Sequence, residues 1–441
     1  MVARRNNRPP VPRVATVEGL DGKGRAVVTV DGRELSAHGG LPGEQVVIEL
    51  RGGRRPRPER VTRVLTPSAE RVVPRCPHFV VCGGCSLMHQ APEAQLALKQ
   101  QRLLDQLAAA DVIPERVLEP LPSPSWHYRR RARLGARLVT AKGRVLVGFR
   151  ERGNSYVADM ATCHVLIEKV ARLIEPLGRL IGRLTLSQRL PQVEVSAGDD
   201  MAVLVLRTLD PPTDSDLVAL HAFADEYDVT LCLQPGGEQS IVGLDGGPPP
   251  DLTYALPEFD VEFTFGPSDF IQVNGPLNRR LVSTAVAWLE PQPTEMVLVL
   301  FCGIGNFPLP LARRAGRVIG LEGSASLVTR AEANAERNGV GNAIFAARDL
   351  YSDDPGPLVE PGTTVHRVLL DPPRTGVGRA LAPLAALGAR RIAYVSCNPI
   401  TLASDAAELV RDHGYRLVTA GVVDMFPHTA HAEALALFEV T

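Results

Sequence analysis

The sequence predicts an α/β protein in three parts: a small β-barrel over residues 1–66, an α+β domain over 67–263 and a doubly wound sheet over 264–441. The doubly wound part is predicted by regular alternation of apolar strand-like runs with helical stretches. Short β-type runs broken by Gly, Pro and Asp predict the barrel, and strands mixed with helices in no fixed alternation predict the middle domain. A chain of 441 residues that is 45% apolar can bury several cores. With 5% aromatic and 22% charged residues and no low-complexity tract, it is neither fibrous nor disordered.

Taken in order, runs 13–17, 25–30, 45–50 and 60–65 read as barrel strands. Arg51, Arg54, Arg55, Arg57 and Arg60 would give that barrel a basic edge suited to phosphates. Pro67 and Pro74 mark a linker into a cysteine-bearing stretch. Across 92–110, Leu96, Leu103, Leu104 and Leu107 with Gln and Lys between them read as an amphipathic helix. Strand-like runs 132–138, 145–150, 192–196, 201–208, 230–233 and 261–265 surround helical stretches 167–181 and 215–227, and 243–250 reads as a loop. Strands then follow at 296–301, 317–322, 343–347, 367–371 and 391–396, with helices near 308–314, 324–337, 379–387 and 401–413. In such a sheet the ligand sits beyond the carboxyl ends of the strands.

A net charge of −1 hides an asymmetry, since residues 1–75 carry 15 Lys+Arg against 8 Asp+Glu, leaving the remainder at −8. That split suggests an appended module that meets a polyanion. The longest strongly apolar run, 296–302, is far short of the roughly 18 residues a membrane span needs. The N-terminus has charge with no apolar segment behind it, so no membrane association and a cytoplasmic location are expected.

Chemistry concentrates at predicted strand ends. Cys302-Gly303-Ile304-Gly305-Asn306 is a tight glycine turn, and Glu322, 17 residues after Gly305, closes the next strand where a carboxylate can accept both hydroxyls of a ribose. These two features fit NAD and S-adenosylmethionine equally. Asp371-Pro372-Pro373-Arg374 places an acid at a strand end, and its prolines force an extended exit able to wall a flat base. Ser396-Cys397-Asn398-Pro399 places a thiol at the same edge, a position where a doubly wound sheet exposes a nucleophile. Cys76, Cys82 and Cys85, spaced C-x5-C-x2-C, form with Cys163 a tetrahedral set for zinc or an iron–sulfur cluster. The nearby His78, His89 and His164 read as surface or core residues.

Together with Phe270-Ile271-Gln272-Val273-Asn274, and with Glu433 after Asp424-Met425-Phe426-Pro427-His428-Thr429, these motifs in this order resemble the RNA uracil-C5 methyltransferases over nearly the whole chain. The resemblance is strongest to the type that acts on 23S ribosomal RNA. It implies a Rossmann-like class I S-adenosylmethionine methyltransferase domain, an OB-like TRAM barrel and a central α+β domain. It also implies that Cys397 adds to uracil C6 and that Glu433 removes the C5 proton. S-adenosylmethionine would be held among Gln272, Phe301, Gly303, Gly305, Asn306, Glu322, Asp349 and Asp371, with Gln272 and Asp371 at the uracil edge or the cofactor boundary. The resemblance tips Cys76, Cys82, Cys85 and Cys163 towards a [4Fe-4S] cluster. It makes RNA the partner, 23S rRNA first and tRNA as the alternative, with no obligate protein partner. Val299 stands where the family carries an acid, and Pro308 where threonine is common, so one polar contact near the methionine end of the cofactor is expected to be missing. Competing readings are a non-catalytic RNA-binding or assembly factor on the same fold, and an NAD-linked dehydrogenase that leaves Cys397 and Glu433 without roles.

Overall fold

The computed structural model describes residues 11–51, 57–353 and 355–441. Alternating inward and outward side chains build β1 (Val11–Leu20), where Ala15 and Val17 are buried between exposed neighbours. With β2 (Ala26–Val30), β3 (Arg33–Ala37), β4 (Gln45–Arg51) and β5 (Arg57–Thr66) it forms an antiparallel sheet of order β3-β2-β1-β4-β5. The Val61 amide donates to the His38 carbonyl at 2.8 Å, so the two edges meet and the sheet curls around Val17, Val28, Val46 and Ile48. The strand β3 escaped the sequence reading, although its signal was present: Asp31 and Gly32, both at positive φ, form the two-residue hairpin turn that leads into it. Of the expected basic edge, Arg60 is exposed, Arg54 and Arg55 lie outside the described residues, and so do the side chains of Arg51 and Arg57.

The central sheet has the order β12-β11-β10-β9-β7-β8. The segment α1 (Pro92–Ala109) and β6 (Arg116–Val117) precedes it in the chain; the sheet itself comprises β7 (Arg131–Val139), β8 (Arg144–Gly148), β9 (Gln192–Ala197), β10 (Ala202–Arg207), β11 (Thr230–Gln234) and β12 (Val242–Gly243). The expected helix at 167–181 is two, α2 (Glu168–Ala171) and α3 (Ile174–Arg183), because Pro176 is tolerated in the first turn of a helix and not in its interior. A further helix, α4 (Asp214–Tyr227), starts on a Thr213–Asp216 capping box.

A hairpin of β13 (Leu252–Leu256) and β14 (Val261–Phe265) leads through α5 (Gly275–Leu289) into the last sheet. Here β15 (Met296–Leu300), α6 (Pro308–Ala312), β16 (Arg317–Glu322), α7 (Ala325–Arg337), β17 (Ala343–Ala347), β18 (Arg367–Leu370), α8 (Leu381–Ala385), β19 (Arg391–Ser396) and α9 (Pro399–His413) alternate as the sequence predicts. Two further strands, β20 (Tyr415–Val423) and β21 (Glu433–Val440), complete the order β17-β16-β15-β18-β19-β21-β20-β6. The first five of these are parallel, and β21 runs antiparallel to both neighbours.

Residues 92–121, read by sequence as part of the middle domain, pack on this sheet instead. Leu103 and Leu107 of α1 bury in one cluster with Leu402, Leu409 and Leu417, and β6 pairs with β20. The buried face of α1 is Gln95, Lys99, Leu103 and Leu107, a strict i, i+4 row whose first half is polar. No helix among the described residues is long and apolar enough to cross a membrane.

Candidate active site

The chain leaves β15 through a turn in left-handed backbone. Phe301 has φ 61°, Gly303 φ 54° and Gly305 φ 96°, and strain of this kind at a non-glycine residue is maintained where the surroundings require it. The turn fixes the acid on the next strand: Gly303 N–H and Ser324 N–H each donate to Glu322, to Oε2 and Oε1 respectively, at 3.0 Å. Asn306 accepts from Tyr254 Oη at 3.0 Å and pairs both ways with the Asn278 amide, tying β13 and α5 to the turn.

These groups border a cavity of about 550 Å3 at the carboxyl edge of the sheet. Of the residues expected from sequence, Gln272, Phe301, Gly303, Asn306, Glu322, Asp349, Asp371, Cys397 and Glu433 line it. Gly305 does not line it; a side chain there would press on Leu309, so its conformation serves the entry into α6. Val299 is fully buried in β15, in the core cluster that also holds Leu277 and Phe307, and is not among the residues that line the cavity. The sequence reading missed Tyr351, whose ring packs on Phe301 at 5.7 Å and whose hydroxyl donates to the Gly376 carbonyl at 2.5 Å, and it missed His431; Phe426, quoted there within a motif, also lines the cavity. Tyr351 and His431 carried no local signal, because they reach the cavity from loops far apart in sequence.

At the reactive end, Asn398 caps α9 and also donates to the Arg374 carbonyl at 2.9 Å, which locks the Asp-Pro-Pro-Arg loop against the Ser-Cys-Asn-Pro loop. Burial pushes the half-buried Cys397 thiol up; Glu433 and Asp371 push the same way, and Arg374 opposes them. Glu433, 6% exposed at the start of β21, has no hydrogen-bond partner for Oε2 among the described residues. Burial and Asp371 push it up to about 8, against opposing pulls from Lys99 and Arg374. Burial and Glu322 push Asp371 up to about 7. A thiol beside a carboxyl that gains and loses its proton near neutrality is the pairing that nucleophilic addition followed by proton removal requires.

Cys76, Cys82, Cys85 and Cys163 line one apolar pocket with Phe79, Met88, Phe149 and Met160. Burial pushes all four thiols up, Cys82 to about 11, and the charges of neighbouring cysteines add to the effect at Cys82, Cys85 and Cys163. Among the described residues no group of three or more His, Cys, Asp or Glu side chains is drawn together to hold a single metal ion. The four thiols border one apolar space, and Arg152 at Cys82 and Arg129 at Cys163 oppose the cost of negative charge there. This pocket is tied to the reactive end: the amides of Ser86 and Leu87, next to Cys85, donate to the His428 carbonyl at 2.9 and 2.8 Å, and Ala430 N–H donates to Ser86 Oγ at 2.9 Å. A separate groove of about 620 Å3 lies where the β1–β2 turn meets the cysteine loop and the central sheet, lined by Lys23, Arg25, Arg133, Arg150 and Arg152.

The reversed β21 makes the last sheet a Rossmann-like doubly wound sheet with a mixed edge, whose glycine turn and Glu322 stand at the carboxyl ends of its parallel strands. Comparison with known proteins narrows the class. The model of the tRNA (Uracil-5-)-methyltransferase family matches residues 91–349 and 362–440, and the chain belongs to that family. A relative in Alkalilimnicola ehrlichii, named 23S rRNA (uracil(1939)-C(5))-methyltransferase RlmD, is 48% identical over 100% of this chain and 99% of its own. The protein of the same name in Methylococcus capsulatus is 45% identical over 99% of each chain. Among solved structures, the tRNA (uracil-54, C5)-methyltransferase of Pyrococcus abyssi shares the fold, with a TM-score of 0.74 at 23% identity over 96% of this chain and 99% of that one.

Proposed function

We propose that this protein transfers a methyl group from S-adenosylmethionine to C5 of a uridine in 23S ribosomal RNA, the uridine at position 1939 named for its full-length relatives, through a covalent adduct on Cys397. The observation that carries this is the convergence of Cys397 and Glu433 on the cavity that Phe301 and Glu322 also line. Bound there, S-adenosylmethionine supplies an electrophilic sulfonium methyl group. Glu322, already held by two backbone amides, would accept its ribose hydroxyls, with Phe301 and Asp349 beside it.

Uracil C5 is too weak a nucleophile to take the methyl group unaided. Addition of the Cys397 thiolate to C6 moves the C5–C6 π electrons onto C5 as an enolate, and C5 then takes the methyl carbon as its bond to the sulfonium sulfur breaks, the sulfur keeping that electron pair and leaving as the neutral thioether S-adenosylhomocysteine. Glu433 takes the C5 proton; those electrons rebuild the C5–C6 double bond and expel the thiolate. Gln272 and Asp371 border the same space and can hydrogen-bond the uracil edge.

Cys76, Cys82, Cys85 and Cys163 would hold a [4Fe-4S] cluster, whose part is to fix the segment that Ser86 and Leu87 join to the loop before Glu433. The closed five-stranded barrel is read as a TRAM module that, with the groove at Lys23 and Arg133, contacts RNA phosphates.

The test is incubation with methyl-labelled S-adenosylmethionine and 23S rRNA lacking the modification, beside unmodified tRNA. Label is expected in 5-methyluridine of the 23S rRNA. Cys397→Ala should abolish transfer and keep cofactor binding; near-normal methylation by that variant would exclude the covalent route, and label in tRNA alone would move the substrate.

A further inference from the structure

We propose that Lys99, on α1, is a positioning residue for Glu433: it anchors the loop that leads into β21 and supplies the buried positive charge against which the Glu433 carboxylate ionises. The proposal rests on the reading of Glu433 as the base.

Four lysines stand against 44 arginines in this chain, so lysine at this position is not what composition supplies by default. The Lys99 side chain is fully buried, and Nζ donates to Asp424 Oδ1 at 2.5 Å and to the Phe426 carbonyl at 3.0 Å. Both acceptors lie in the loop between β20 and β21, more than 320 residues away in sequence. Two other α1 side chains grip the same stretch: Gln100 Oε1 accepts from Val422 N–H at 2.8 Å, and Gln95 Oε1 accepts from His428 N–H at 2.9 Å. Glu433 is the first residue after this loop, so the face of α1 sets where its carboxyl starts.

Anchoring alone does not explain a buried ion pair, because a well-packed apolar pair holds a loop at least as firmly. An apolar pair cannot put a cation near Glu433. Asp371 at the end of β18 disfavours ionisation of Glu433, Cys397 after β19 will do so as a thiolate, and His431 in the same loop is held neutral by burial. Two cations oppose them, Arg374 and Lys99. Arg374 is exposed and screened by water, whereas the fully buried Lys99 acts at low dielectric. Its compact ammonium fits beside Asp424 where a forked guanidinium would need more acceptors.

The experiment follows Glu433 directly. In full-length protein labelled with carbon-13 at glutamate carboxyls, the Glu433 signal is identified by its loss in Glu433→Gln and titrated in the wild type, in Lys99→Met and in Lys99→Met/Asp424→Asn. The double variant is included because Lys99→Met leaves Asp424 unpaired and can unfold the chain, whereas removing both charges does not. Folding is checked by S-adenosylmethionine binding, and tritium release from RNA containing [5-3H]uridine is measured over the same pH range. The Glu433 midpoint should rise by about one pH unit in folded Lys99→Met, and by less in the double variant, which also removes the Asp424 charge, with the acid limb of tritium release moving equally and the Lys99→Met rate at pH 7 falling about tenfold. Lys99→Arg, which restores the charge, should recover part of the shift. An unmoved Glu433 midpoint in a folded charge-removing variant overturns the proposal. A midpoint that rises while the tritium profile stays put upholds the effect of Lys99 on Glu433 and removes Glu433 from the base role.

Discussion

Replacing Glu433 with Gln separates the two halves of the proposed reaction. The carboxyl is buried, lacks a partner for Oε2 among the described residues, and is pushed up to about 8 by burial and by Asp371. A base of that proton affinity is about one-tenth ionised at pH 7 and about one-hundredth at pH 6, so wild-type proton removal should rise about tenfold per pH unit and level off above pH 8. Glutamine keeps the shape of the side chain and cannot accept the proton, and loss of a positioned base costs about 10²–10⁴-fold. Addition of Cys397 and methyl transfer precede that step. The variant should therefore accumulate methylated RNA bonded to Cys397, visible as a protein–RNA band that survives denaturing electrophoresis, with tritium retained at C5 of the substrate. A wild-type half-point near the ordinary glutamate value of 4.5, or a variant that turns over freely without the band, would refute this account of the site.

Glu433 and Asp371 both bind protons more tightly folded than unfolded, so their contribution to stability is full below about pH 4 and is lost as pH rises through about 7 to 8; thermal unfolding should move to lower temperature between pH 5.5 and 8.5, and by less in Glu433→Gln/Asp371→Asn. Lys23→Glu with Arg133→Glu should weaken RNA binding and flatten its salt dependence, lowering the slope of log K against log salt by about 0.7–0.9 for each phosphate no longer neutralised, with cofactor affinity unchanged in calorimetry. Protein purified without oxygen should be brown and contain iron and sulfide; Cys82→Ser or Cys163→Ser should bleach it, and a colourless preparation with one zinc per chain would overturn the cluster while keeping its ligands.

The sequence by itself determined the local chemistry of this protein. Alternating runs from Met296 to His413 become β15 to α9 almost residue for residue, since strand and helix periodicity and turn residues act over a few positions. For the same reason Phe301, Glu322, Asp371 and Cys397 could be placed at strand ends, and strand ends of a parallel sheet share one edge. Tertiary structure alone decided what surrounds them. The stripe read from sequence, Leu96, Leu103, Leu104 and Leu107, is not the face that α1 buries: packing on α9 and β20 selects the row Gln95, Lys99, Leu103, Leu107, and burial of its polar half creates the Lys99–Asp424 pair across 325 residues. The elevated proton affinity of Glu433 has the same origin, because desolvation and the field of Asp371 depend on which chain segments close over a carboxyl and leave no trace in its sequence neighbours.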